Sequence, residues 1–116
     1  MEAKELRIGN LVSIFDGKLN AYIVREFTHM DFYMTYNDPE AMLIFEPIRI
    51  TEEWLLKFGF KKVFPKRGIA RAYKKQNIRI NMSNMGNFYY SKTPIYFVHQ
   101  LQNLYFALTG EELTCK

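Results

Sequence analysis

The residues best equipped for chemistry lie in the segment VHQLQNLYFALTG, residues 98–110, where His99, Gln100, Gln102 and Asn103 fall within two helical turns. A histidine among amides can read a polar ligand by hydrogen bonding or move a proton. A second pair, His29 and Asp31, shares one face of an extended segment and could share a metal or a proton, but a zinc site takes three or four ligands. A third group is basic and aromatic. If Ala70 and Ala72 face inward, Arg71, Tyr73 and Lys75 project outward from one strand with Arg79 on its neighbour, a pattern that tracks phosphates and stacks a base. In the opposite register Tyr73 joins Ile69 in a core stripe, and the cations keep an edge strand soluble.

Catalytic signals are weak by comparison. There is no Gly-rich phosphate loop, no pair of histidines at metal-ligand spacing and no serine or cysteine in a nucleophile motif. The single cysteine, Cys115, lies beside the chain end and has no internal disulfide partner. The expectation is a non-enzymatic protein with no catalytic residue, no metal ligand set, no cofactor and no small-molecule substrate.

Each candidate needs an element to position it. ELRIGNLVSIF, Asp16-Gly17 and LNAYIVREF read as a hairpin, because Asp-Gly supplies the positive φ that tight hairpin turns require. MDFYMTY alternates, with Met30, Phe32, Met34 and Tyr36 on one side and Asp31, Tyr33 and Thr35 on the other, and predicts a third strand. MLIFEPIRI predicts a fourth, with Pro47 marking an edge or a bulge. Four short strands in residues 1–50 form a bent antiparallel meander, for which a five-stranded SH3-like barrel is the candidate. Thr51, Glu52 and Glu53 open a short helix over residues 51–59 that Gly59 closes, with Trp54 as a core anchor. FKKVF, IARAYKK, IRINM and NFYYSK supply a second antiparallel group over residues 60–92, in which Arg79 points to solvent.

Residues 93–110 hold the C-terminal helix. At about 100° per residue, Leu104, Leu108, Leu101, Tyr105 and Val98 occupy one arc and predict the core face. The opposite arc holds Gln102, His99, Asn103, Ala107 and Gln100, and Phe106 falls inside it. His99, Gln102, Asn103 and Phe106 are therefore the candidate partner surface, either a second packing face within the fold or a homo-oligomer, or a protein-binding site anchored on Phe106. His99 itself, in the first turn, is expected neutral and hydrogen-bonded. The fold class is α+β: meander, short helix, second strand group, and a C-terminal helix packed on sheet.

The 116 residues suit one domain, and 48% hydrophobic content suffices for a core. Charge is distributed unevenly. Residues 1–53 contain ten acids against five bases, whereas residues 54–110 contain ten bases and no acid. Such asymmetry marks either a solvated face or a surface for a polyanion. The candidate nucleic-acid contacts are Lys61, Lys62, Lys66, Arg67, Arg71, Tyr73, Lys75 and Arg79. The N-terminus lacks the apolar stretch of a signal peptide, and the apolar runs MLIF and IYFV fall far short of the roughly 20 residues of a membrane span. A cytoplasmic location is expected.

The blocks ELRIGNLV, TEEWLLKFGF and YFVHQLQNLYFALTGEEL resemble a family of small proteins found in bacterial genomes and in their phages or mobile elements. The resemblance covers nearly the whole chain, with a more divergent middle. It implies a cytoplasmic bacterial or phage accessory protein and brings no activity, cofactor or catalytic residue.

Overall fold

A computed structural model describes residues 5–115. The described residues form an α+β protein with two antiparallel sheets and three α-helices. They divide into two compact units. The first holds the described residues up to Ile48 together with Phe97–Asn103, and the second holds Arg49–Tyr96 and the chain from Leu104 onward.

In the first unit, β1 (Leu11–Asp16) pairs with β2 (Ala21–Glu26) from Leu11 opposite Glu26 to Asp16 opposite Ala21. The hairpin is the expected one, but its connection is a four-residue loop. The Asp16 carboxylate accepts from the amides of Lys18 (2.8 Å) and Leu19 (3.3 Å), and Asn20, not Gly17, takes the positive φ (52°). A two-residue strand β3 (Phe45–Glu46) flanks β1 on its other side, and Pro47 ends it at the sheet edge.

One predicted strand of the meander is helical and another is cut short. Residues 30–36, expected to alternate as a strand, fall within α1 (His29–Asn37), and the predicted fourth strand, residues 42–50, begins inside a 3-10 helix (Pro39–Ile44) and keeps strand pairing to β1 only at β3. The reason is local capping. The Thr28 hydroxyl accepts from the Asp31 amide while the Asp31 carboxylate accepts from the Thr28 amide, a reciprocal box that satisfies donors at the helix start. Asp38 caps the next helix, with Pro39 in its first turn, where its missing N–H costs nothing. The sheet of this unit accordingly has three strands, ordered β2-β1-β3, in place of a five-stranded barrel. Leu6, Val12, Phe27, Met42 and Phe45 form its core, with Ile14 packed against them.

The second unit opens with α2 (Glu52–Lys57), capped by the Thr51 hydroxyl on the Trp54 amide as expected. Gly59, at φ 92°, ends it: its amide bonds to Leu56 O and that of Phe60 to Leu55 O, the double closure of a Schellman motif. Trp54 is half-buried against Phe58, with the Lys57 ammonium 4.9 Å from its ring centre. The five-stranded sheet follows as β4 (Lys61–Val63), β5 (Arg71–Lys75), β6 (Ile78–Met82), β7 (Phe88–Tyr90) and β8 (Thr93–Ile95), paired in chain order. Tyr73 opposite Ile80 and Phe88 opposite Ile95 fix its inner face, on which Ile78 is also buried.

The last helix, α3 (Val98–Thr109), ends as predicted at Gly110, whose φ is 75° and whose amide bonds to Phe106 O. Its N-terminal part through Asn103 belongs to the first unit and the remainder to the second.

Candidate functional site

The predicted partner surface on α3 is mostly interior. His99 and Gln102 are 1% and 2% exposed, alongside Val98, Leu101 and Tyr105, whereas Leu108, expected in the core, is exposed. The buried arc is thus rotated towards the amides. Phe106 lies between Gln102 and His99 on the helical wheel, so it extends the buried arc rather than interrupting a wet one; at 40% exposure it sits at the margin. The amides serve the first unit's own backbone. Gln102 Oε1 accepts from the Leu11 amide at 2.8 Å and its Nε2 donates to Gly9 O at 3.5 Å. Asn103 donates to Glu5 O and accepts from the buried Asn10 amide, both at 2.9 Å. These groups satisfy donors at the start of β1 that would otherwise be buried unpaired.

His99 is stacked on Phe97, with ring centroids 5.8 Å apart. Burial holds its imidazolium form below the ordinary range, against the opposing pull of Glu5. Its neutral state is as expected; its hydrogen bond is not, since neither ring nitrogen has a partner among the described residues. The His29–Asp31 pairing also dissolves. Arg25 holds the Asp31 carboxylate with two bonds of 2.6 and 3.0 Å, while His29 is exposed. Among the described residues no three His, Cys, Asp or Glu side chains are grouped to hold a metal ion.

That capture of Asp31 has a consequence for α1. Its two buried positions are Asp31 and Thr35, one turn apart, and Met30, Phe32, Tyr33, Met34 and Tyr36 are all exposed. Four of these residues and His29, unlike Met34, line an apolar depression of about 430 Å³. The helix turns a narrow polar strip inward and leaves apolar side chains exposed around most of the rest of its circumference. On the neighbouring hairpin Phe15 and Tyr22 are also exposed, packed edge to face at 5.4 Å. Sequence reasoning missed this surface because alternation concealed the i, i+4 relation of Asp31 and Thr35. Thr28 three residues before Asp31 was the available signal.

The basic segment splits by sheet face. Tyr73 is buried, which settles the register against Arg71, Tyr73 and Lys75 as an outward row. Lys62 and Arg71 both pair with Glu52, at 2.7 and 3.1 Å, and the Lys62 contact is the main reason the Glu52 carboxyl lies below its usual range. Lys75 donates to Phe58 O at 2.6 Å and lies 5.2 Å from the Tyr105 ring centre. Lys61 and Arg79 are on the other face, with Lys74 between them, a residue absent from the predicted set. Lys66 and Arg67 are exposed in the loop between β4 and β5.

No family model, curated protein or solved structure matches the chain. No helix among the described residues is long and apolar enough to cross a membrane.

Proposed function

We propose that the protein is a non-enzymatic, cytoplasmic protein-binding module whose docking surface is the apolar face of α1, and that the occupant is a basic amphipathic segment of a partner protein. The observation that carries this reading is the burial pattern of α1, which buries Asp31 and Thr35 and leaves Met30, Phe32, Tyr33 and Tyr36 in solvent. Contiguous apolar surface of this kind on a small protein marks an interaction site. Charge selects the partner: residues 26–48 contain five acids and no lysine or arginine, and Glu26, Asp38, Glu40 and Glu46 are exposed around the helix. A cationic segment with an apolar stripe matches both features, in the helix-in-groove manner. The resemblance to bacterial, phage and mobile-element proteins fits an accessory role of this type.

The test is calorimetry of the full chain with an 18-residue Leu/Lys amphipathic peptide and its Leu/Glu counterpart. The Leu/Lys peptide binds, the Leu/Glu peptide does not, and Met30→Ser with Tyr33→Ser weakens binding at least tenfold without changing the unfolding midpoint. Equal or absent binding of the two peptides contradicts the reading. A dimer in sedimentation that the same double variant abolishes assigns the face to a second copy instead.

A further inference from the structure

We propose that the outer face of the second unit's sheet binds single-stranded nucleic acid, through a row of cations on three adjacent strands and a bare phenylalanine beside it. This site is independent of the α1 surface. Pairing register places Lys61 directly opposite Lys74, and Lys74 directly opposite Arg79. Residues directly opposite each other share a face, with Cβ atoms about 5 Å apart, and like charges so placed destabilise a sheet. Two inter-strand gaps carry the row across about 10 Å.

The other face of the same strands shows how this chain treats a cation it needs to neutralise. Lys62 and Arg71 share the Glu52 carboxylate, and Lys75 is held by the Phe58 carbonyl. On the outer face neither Lys61 nor Lys74 meets a carboxylate among the described residues, and residues 54–110 contain none in sequence. A carboxylate offsets the Lys62 and Arg71 charges on one face, whereas the repulsion between Lys61 and Lys74 on the other is retained. A ligand bearing several phosphates at short intervals removes that repulsion on binding, and releases its own counterions as it does so.

The aromatic partner decides between a generic polyanion and a nucleic acid. Phe64, the residue after β4, is 94% exposed. The Arg79 guanidinium crosses from β6 to donate to the Phe64 carbonyl, which ties this residue to the end of the cation row. Lys66 and Arg67 follow in the same exposed loop. Tyr89, half-exposed on β7, shares the outer face because it pairs with Asn81, two residues from Arg79. An exposed aromatic beside a cation track is the arrangement on which unpaired bases stack. In a duplex the bases already stack on each other, so the single strand is the form this surface suits.

Fluorescence anisotropy of the full chain with a labelled twelve-residue oligothymidine tests the site, with a twelve-pair duplex and inorganic polyphosphate as comparison probes. Three phosphate contacts on a single strand give a slope of about −2 in log affinity against log salt. Lys61→Ala with Lys74→Ala lowers that slope to about −0.7, one contact, and weakens binding at least tenfold. Phe64→Ala weakens oligothymidine binding about fivefold or more and leaves polyphosphate binding unchanged. All three side chains are exposed, so Phe64→Ala retains the wild-type melting temperature, and the lysine double variant, relieved of cross-strand repulsion, melts at or above it. Absence of oligothymidine binding at low salt overturns the proposal. So does tighter binding of the duplex, or a Phe64→Ala variant that binds oligothymidine as well as the wild type.

Discussion

Arg25 grips Asp31 with two hydrogen bonds, NH1 to Oδ2 at 2.6 Å and NH2 to Oδ1 at 3.0 Å, while the same carboxylate accepts from the backbone amide and hydroxyl of Thr28. One carboxylate thereby ties β2 to the first turn of α1 and determines which side of that helix turns inward. Its pKa is held below the usual range, first by the Arg25 bond and further by Thr28. The unfolded chain protonates this group near pH 3.9. Because the folded value is lower, the contribution to stability is complete above about pH 4 and is lost as pH falls through the folded value. Asp31→Ala removes both the pair and the cap and costs about 2 kcal/mol near neutral pH. Urea unfolding of the variant shows the loss at pH 7 and a shallower acid limb than the wild type.

Gln102 makes a second prediction. Its Oε1 receives the Leu11 amide at the first residue of β1, and the side chain is almost fully buried. Gln102→Leu keeps the bulk and removes the acceptor, which strands a buried backbone donor at a cost of about 1–3 kcal/mol. Native-state hydrogen exchange detects the change as loss of protection at Leu11. A partner-binding Gln102 would instead leave stability unchanged on substitution.

Much of the architecture was legible because local signals agreed with one another. Thr51, the acids after it and Gly59 mark both ends of α2; Gly110 marks the end of α3; Ile78 and Ile80 alternate with Arg79 and Asn81 as a half-buried strand should. The failures have a common physical cause, the long-range satisfaction of polar groups. Asp31 reads as a surface residue until Arg25, six positions earlier, neutralises it, and then the apolar residues of α1 are left outside. His99, Gln102 and Asn103 read as a wet arc, yet the amides bond to backbone more than ninety residues away, at Glu5, Gly9 and Leu11. Hydrophobic periodicity cannot register partners at that separation. Register was the other gap: alternation identified Arg79 as outward, but only strand pairing placed Lys74 and Lys61 in line with it.

His99 predicts a pH effect near neutrality. Burial lowers its folded pKa below the ordinary value of 6.5, so the unfolded chain takes up a proton that the native state refuses. Stability then falls as pH drops below about 6.5, by at most about 1.4 kcal/mol per pH unit, and levels off below the folded value. His99→Phe keeps an aromatic ring against Phe97 and abolishes the titration. Whatever its stability at pH 7.5, its unfolding free energy between pH 7 and 5 has a smaller slope than that of the wild type. Identical slopes would show that the native imidazole protonates as readily as the unfolded one.

Lys74 stands between two like charges, Lys61 and Arg79, and this position predicts a conflict between stability and binding. Lys74→Glu converts two repulsive cross-strand pairs into two attractive ones. At about 0.2–1 kcal/mol for each of the two pairs, the free protein gains about 0.4–2 kcal/mol and its melting temperature rises. The same change places a carboxylate in the middle of the cation row, so affinity for oligothymidine drops more than with Lys74→Ala and the salt dependence flattens. Opposite signs for the two effects identify a row retained for a ligand at the expense of the fold. A destabilised Lys74→Glu variant would mean that Lys74 contributes to packing, and a stabilised one with unchanged oligothymidine affinity would separate the row from binding altogether.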